Sequence, residues 1–283
     1  VDVIVGTTAF DSICEVIKES LKGKRVKKVK DINDKMCENL PRIRTTPSYT
    51  AYLKIAEGCH NRCTYCAIPL IRGRHRSRTI EDIVAEAKKL DAMGVKELNL
   101  IAQDTTRYGL DIYGEYKLDE LVKAISDNTN IPWIRLLYCY PEKLTDELLD
   151  EIINNPKVCK YIDIPLQHIS DSVLKRMNRK TTKKDIETLI SKIKKASKFI
   201  AVRTTLMTGF PGETNEDFNE LCEFVEKYKL MHVGFFAYSK EEGTPAASLP
   251  NQVDEDIKTR RLMKLIRIQK KIASEVNKSF VGK

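Results

Sequence analysis

From residue 49 onward, short and nearly continuous apolar runs alternate with longer stretches whose apolar residues recur every three or four positions. Leu98-Asn99-Leu100-Ile101-Ala102 typifies the first kind. Such a run suits a strand covered on both faces, whereas a half-solvated strand alternates polar and apolar residues. The pattern predicts strands at Tyr49–Ala56, Lys96–Ala102, Trp133–Tyr138, Cys159–Leu166, Phe199–Thr208 and Met231–Tyr238. The helices that follow them are Thr79–Met93, Leu118–Asp127, Thr145–Ile153, Thr182–Ala196, Thr214–Tyr228 and Gln252–Val276. Thr79 with Asp82, and Thr214 with Asp217, have capping-box spacing, and Gly94 is a stop signal. Strand–helix repetition of this kind calls for parallel strands joined by right-handed crossovers. No G-x-G-x-x-G follows the first strand, which weakens a dinucleotide-binding sheet, and six units fall short of a closed eight-stranded barrel. The expected fold class is α/β, a partial (split) parallel (β/α)6 barrel.

The first 44 residues read differently. Val1–Val5 has a buried-strand pattern and Ile13–Leu21 an amphipathic one, but one strand and one helix cannot close a core. Basic Lys24–Lys30 and Pro41 look like a linker. Residues 1–44 are therefore expected to be the tail of an upstream domain plus a linker, and 45–283 the main domain. No apolar run is long enough to cross a bilayer and no signal peptide is visible, so a cytoplasmic location is expected. The eight cysteines then read as thiols and not as a disulfide framework. A formal charge of +9 permits an anionic partner such as RNA, although solvated lysine-rich helices give the same number.

Directly after the first strand comes Cys59-His60-Asn61-Arg62-Cys63-Thr64-Tyr65-Cys66. Three soft thiolate donors with C-x3-C-x2-C spacing can wrap one metal centre. A cubane iron–sulfur cluster normally takes four cysteines, so a three-cysteine loop leaves one iron open. S-adenosylmethionine can chelate that iron, and an electron from the cluster then splits its C–S bond to give a 5′-deoxyadenosyl radical. The competing reading is a Cys3His zinc knuckle with His60 or His75 as fourth ligand. That reading would suit a non-enzymatic, zinc-stabilised RNA-binding module.

Barrel enzymes place their chemistry in the loops after the strands. This rule nominates Gln103 and Asp104 after the second strand, and Pro165, Gln167, His168 and Ser170 after the fourth. It also nominates Arg203 in the fifth strand and Tyr238 and Ser239 at the end of the sixth. Cofactor contacts are expected from Tyr65 (adenine packing), Gln103, Gln167 and Arg203 (the cofactor carboxylate). Each has a plainer role open to it: loop hydrogen bonding for the glutamines and His168, a neighbouring Glu for Arg203, core filling for Tyr65. No side chain is assigned as a catalytic acid or base. Arg72, Arg74, Arg76 and Arg78 would share one face if extended, for phosphate or for solvent. Cys14, Cys37, Cys139, Cys159 and Cys222 are scattered and read as small core or surface residues.

With these residues assembled, the chain resembles the radical S-adenosylmethionine methylthiotransferases over most of 45–283. The likeness is carried by Cys59, Cys63 and Cys66, by Arg72-Gly73-Arg74-His75-Arg76-Ser77-Arg78 and by Gly209-Phe210-Pro211-Gly212-Glu213-Thr214. Two further stretches, 100–109 (LIAQDTTRYG) and 161–170 (YIDIPLQHIS), are similar to the RimO type, which modifies an aspartate of a small-subunit ribosomal protein. The tRNA-modifying relatives typically carry Gln-Asn and Gln-Ser-Gly at those places, and a tRNA adenosine methylthiotransferase is the nearest alternative. The resemblance implies a radical SAM barrel, a [4Fe-4S] cluster on the three cysteines and S-adenosyl-L-methionine. It also implies a flavodoxin or ferredoxin as electron donor and methylthiolation of an aspartate β-carbon, on the ribosome or off it. The second cluster of the family is held by an upstream domain and substrate docking by a downstream TRAM domain. The chain reads as a fragment lacking most of both, and is expected to be incompetent for full turnover.

Overall fold

A computed structural model describes residues 1–34, 42–196 and 200–282. Cys37, Pro41 and Phe199 lie outside the described residues. By its contacts the chain divides into two compact units, the first made of 1–60 and 67–134, the second of 61–66 and 135–283.

The first unit begins with a small β-α-β arrangement. Strand β1 (Val3–Val5) pairs in parallel with β2 (Val26–Lys28) across helix α1 (Ile13–Ser20). Then follow β3 (Thr50–Lys54), β4 (Ala56–Glu57), α2 (Ile68–Arg72), β5 (Arg76–Ser77), α3 (Ile80–Ala92), β6 (Glu97–Ile101), α4 (Leu118–Asn128) and β7 (Trp133–Leu136). Strands β3, β6 and β7 form a sheet in that order, with β3 and β6 parallel and Thr50 opposite Glu97. Apolar residues from strands and helices meet here: Ala51, Leu53, Leu98 and Leu100 are fully buried, as are Ile83 and Ala87 of α3. Burying a leucine or isoleucine contributes about 1.5–3 kcal/mol each, which is why the apolar runs become the sheet.

In the second unit come α5 (Asp146–Asn154), β8 (Tyr161–Gln167), α6 (Asp171–Arg176), α7 (Lys183–Ala196), β9 (Ala201–Thr208), α8 (Asn215–Tyr228), β10 (His232–Ala237) and α9 (Glu255–Lys278). Strands β8, β9 and β10 are parallel, with β9 in the middle. Helix α9 buries Lys258, Arg261, Leu265, Gln269 and Ile272, one side of the helix at spacings of three and four.

The α/β class and the parallel strands are as expected, and the six expected strands pair as two sheets of three. Four local features differ from the expectation. The first strand breaks at Ile55 into β3 and β4, and β4 pairs antiparallel with β5. Strand β7 stops at Leu136, because Tyr138 adopts a left-handed φ of 66° that no strand continues. Strand β8 starts two residues later than expected and includes Gln167, with its register against β9 slipping between Ile164 and Gln167. The Thr79–Asp82 box is only half formed: Thr79 accepts from the Asp82 amide, while the Asp82 carboxylate binds the Arg78 guanidinium at 2.6 Å. The Thr214–Asp217 box is complete. Among the described residues no helix is long and apolar enough to cross a membrane.

Candidate functional site

The chain enters the cysteine stretch through Gly58, at φ 75°. A Cβ there would lie 2.1 Å from the Arg74 carbonyl oxygen, so only glycine fits. Cys59 follows, its amide donating to the Gly73 carbonyl at 3.1 Å. Strand β5 thus runs beside the segment leading into the stretch, which gives the arginine row its place. The row is not one extended face. Arg74 is exposed, Arg76 donates to the carbonyls of Arg72 and Arg74, and Arg78 is buried between Asp82 and Glu86. Arg78 is a structural pin and not a phosphate contact.

Cys63, Tyr65 and Cys66 belong to the second unit. The Cys66 amide donates to the Cys63 carbonyl at 3.0 Å, a tight turn. Thr64 between them is anchored three times: its amide donates to the Met177 carbonyl, its hydroxyl to the Arg176 carbonyl, and its carbonyl accepts from the Ala246 amide. The loop is short in sequence but held from two distant segments. Cys59 and Cys63 are buried and Cys66 is half-buried.

Cys63 has a polar neighbourhood that sequence reasoning missed. The Tyr140 hydroxyl lies 3.8 Å from its sulfur and Nη1 of Arg179 4.0 Å from it. The Arg179 guanidinium lies over the Tyr140 ring, 4.4 Å from its centre, and donates through Nη2 to the Pro165 carbonyl at 2.8 Å. Burial works against the Arg179 charge, but the phenols of Tyr65 and Tyr140, with Cys63 and Glu142, outweigh it and hold the group protonated. The nearby Lys143 ammonium donates to Asn61 Oδ1 at 2.8 Å. A signal was available in the arginine of Met177-Asn178-Arg179, but nothing in its spacing relates residue 179 to residue 63.

The four expected cofactor contacts fare differently. Gln167 ends β8 at φ 72°, an uncommon conformation for a residue with a Cβ, and its buried Oε1 has no hydrogen-bond partner. Gln103, in the first unit, also buries an unpartnered Oε1. An unsatisfied buried acceptor costs about 1–3 kcal/mol, and a donor such as a hydroxyl or ammonium group would relieve it. Arg203 sits opposite Asp163 on the neighbouring strand and bonds to it at 2.8 Å, so its nearest carboxylate is the protein's own. Tyr65 packs against the apolar cluster of Val173, Met177, Met207, Phe210, Tyr238 and Ala246, edge-on to Phe210 at 6.4 Å. Burial, and next the proximity of Cys63, push its hydroxyl well above the usual tyrosine range.

Two of the other loop polar residues are structural. Asp104 caps the short helix Thr105–Arg107 through the Arg107 amide and the Thr106 hydroxyl. His168 is fully buried and its Nδ1 accepts from the Ser170 amide, while Nε2 stands 3.6 Å from Glu213.

Among the described residues no three His, Cys, Asp or Glu side chains converge as ligands of one metal ion would. The fit of a cluster therefore rests on donor chemistry: three soft thiols in eight residues, with a guanidinium and a phenol beside the Cys63 sulfur. Cysteine sulfur is the soft donor that iron–sulfur clusters take. The unpartnered oxygen of Gln103 in the first unit and that of Gln167 in the second would each accept a hydrogen bond from a donor.

A family profile described as the radical SAM superfamily matches residues 53–225. This chain belongs to the radical SAM superfamily. The radical SAM profile takes in the cysteine stretch, Gln103, Gln167, Arg179 and Arg203. At the level of whole chains, it is 52% identical over 282 residues to the ribosomal protein uS12 methylthiotransferase RimO of Clostridium botulinum strain Hall. It is 50% identical over 283 residues to the RimO of Clostridium tetani, and 49% identical over 283 to that of Desulforamulus reducens. All of this chain is matched, and it spans 63% of the C. botulinum relative and 64% of the other two. Among solved structures, the radical SAM coproporphyrinogen III oxidase HemN of Escherichia coli superposes with a TM-score of 0.59 at 16% identity, over 79% of this chain and 52% of its own. The radical SAM methyltransferase TsrM of Kitasatospora setae, solved with cobalamin and a [4Fe-4S] cluster, gives 0.58 at 20% identity, over 70% of this chain and 38% of its own. At those identities the likeness speaks for the fold.

Proposed function

We propose that the chain is the radical-generating core of a RimO-type methylthiotransferase acting on an aspartate of ribosomal protein uS12. The observation that carries this reading is the C-x3-C-x2-C loop of three thiols in a chain that is 52% identical to RimO over 282 of its residues. In this reading Cys59, Cys63 and Cys66 hold a [4Fe-4S] cluster with one open iron, and residues 45–283 form the core. Residues 1–44 are the end of a preceding cluster-binding domain and its linker. When bound, the cluster supplies the electron that cleaves S-adenosylmethionine, with a flavodoxin or ferredoxin as donor in the cytoplasm.

The chain's own residues bind and orient. Gln103 and Gln167 present buried acceptors to the amino or ribose hydroxyl groups of the cofactor. Arg203, pinned by Asp163, keeps its remaining donors for the cofactor carboxylate, and Tyr65 offers a ring edge to adenine. No side chain acts as base on the substrate, because an aspartate β C–H is too weak an acid to lose a proton at neutral pH.

The protein reconstituted with iron and sulfide under argon, then reduced, should convert S-adenosylmethionine to 5′-deoxyadenosine. Cys63→Ala should lower iron content and reduce that conversion at least about a hundredfold, the scale on which loss of a metal's surroundings acts. Cleavage that persists in the variant rejects the cluster assignment. Full-length enzyme incubated separately with uS12 and with tRNA, followed by mass spectrometry, tests the substrate: methylthiolated tRNA and unmodified uS12 would overturn it.

A further inference from the structure

We infer that Arg179 is a positioning residue that fixes a permanent positive charge beside Cys63 and so sets the reduction potential of the cluster carried by the cysteine loop. The inference rests on the cluster reading above and goes beyond it. Arg179 is 7% exposed, and among the described residues no carboxylate forms an ion pair with it. Burying a cation costs several kcal/mol, and the acidic groups that offset this cost are the phenols of Tyr65 and Tyr140, Cys63 and Glu142. Of these, the sulfur of Cys63 lies 4.0 Å from Nη1.

The rest of the side chain is arranged to hold that charge still. The guanidinium carbon lies over the Tyr140 ring, 4.4 Å from its centre, and Nη2 is bonded to the Pro165 carbonyl, while Nε is buried without a partner. Tyr140 is itself steadied, with the Lys143 ammonium 4.9 Å from its ring centre and its hydroxyl 3.8 Å from the same sulfur. A guanidinium needed only to satisfy the Pro165 carbonyl would do so without turning its other nitrogen to a thiol. Being ionised at any pH a protein survives, it is a constant charge and not a switch.

A thiolate-ligated cluster gains one negative charge when it takes one electron from a one-electron reductant, with no bond made or proton moved. A nearby positive charge stabilises the reduced form more than the oxidised form and raises the potential. Lysine keeps the charge but not the flat stacking or the two-pronged donation, and glutamine keeps neither.

The test is an anaerobic dithionite titration of the reconstituted full chain, followed by the electron paramagnetic resonance signal of the reduced cluster, with iron per chain measured alongside. Arg179→Gln should move the midpoint to a more negative potential, and Arg179→Lys should stay nearer the unmutated value. Tyr140→Leu, which removes the platform but leaves the arginine, should shift it in the same negative direction. This second variant carries the test if Arg179→Gln loses its cluster. A midpoint unaltered in Arg179→Gln, or equal in the Gln and Lys variants, overturns the inference. So does an unaltered midpoint in Tyr140→Leu when Arg179→Gln holds no iron, which would make Arg179 a packing residue. Absence of any reduced signal in the unmutated chain would instead overturn the cluster reading beneath it.

Discussion

Gly58 shows how a single position can govern the entry to a site. Its left-handed φ costs an L-residue about 1–2 kcal/mol, and any Cβ would also press on the Arg74 carbonyl. Gly58→Ala is expected to destabilise the chain by at least about 2 kcal/mol in urea unfolding and to lower iron uptake; a midpoint equal to that of the unmutated chain would show that the Arg72–His75 segment yields. The same scale separates residues that could be read in the sequence from those that could not. Cys59, Cys63 and Cys66 announce themselves by spacing. Arg179 does not, because its relation to Cys63 spans 116 positions and depends on where Tyr140 and Pro165 are brought. Arg203 was legible as an arginine needing a carboxylate, but only the β8–β9 register shows that Asp163 provides one.

Among the elements, α8 and α9 depend on the turn between β9 and α8. Asp217 receives hydrogen bonds from Ser170 and Ser172 and from the amide and hydroxyl of Thr214, and also stands 3.6 Å from Arg176. Partial burial tends to raise its pKa, but these bonds prevail and take it from 3.8 down to about 2. A carboxyl that binds its proton less readily when folded adds stability above its unfolded pKa and loses it as pH falls through the folded one. Asp217→Ala should therefore cost about 1 kcal/mol at pH 7, the scale of a helix cap, and the gap should narrow between about pH 4 and pH 2. A gap independent of pH would mean that the carboxylate's charge contributes nothing. In the same turn, Glu213 is fully buried and accepts from the Gly209 amide, the Thr208 hydroxyl and Arg261 of α9. Arg261→Met leaves that carboxylate uncompensated, for a loss of about 3–5 kcal/mol readable as a lowered melting temperature. Both capping signals lay in the sequence, yet only one box closed. Thr214–Asp217 had no competitor strong enough to take its carboxylate, whereas Asp82 was captured by Arg78, a pairing that the spacing alone does not rank.

For the molecule as a whole, the net charge of +9 predicts loose attraction to polyanions. Binding to unstructured RNA should weaken steeply between about 50 and 200 mM salt, as counterion release requires; affinity indifferent to salt in a filter-binding assay would contradict this. The sequence alone determined the alternation of strands and helices, the parallel pairing and the three-thiol loop. Those features are local or periodic: apolar spacing, caps and ligand spacing act within about twenty residues of chain. Tertiary structure alone decided the grouping of six strands into two sheets of three, the break at Ile55 and the polar shell around Cys63. These arise where segments remote in the chain compete for the same hydrogen-bonding groups and the same buried space, and no local pattern encodes the outcome of that competition.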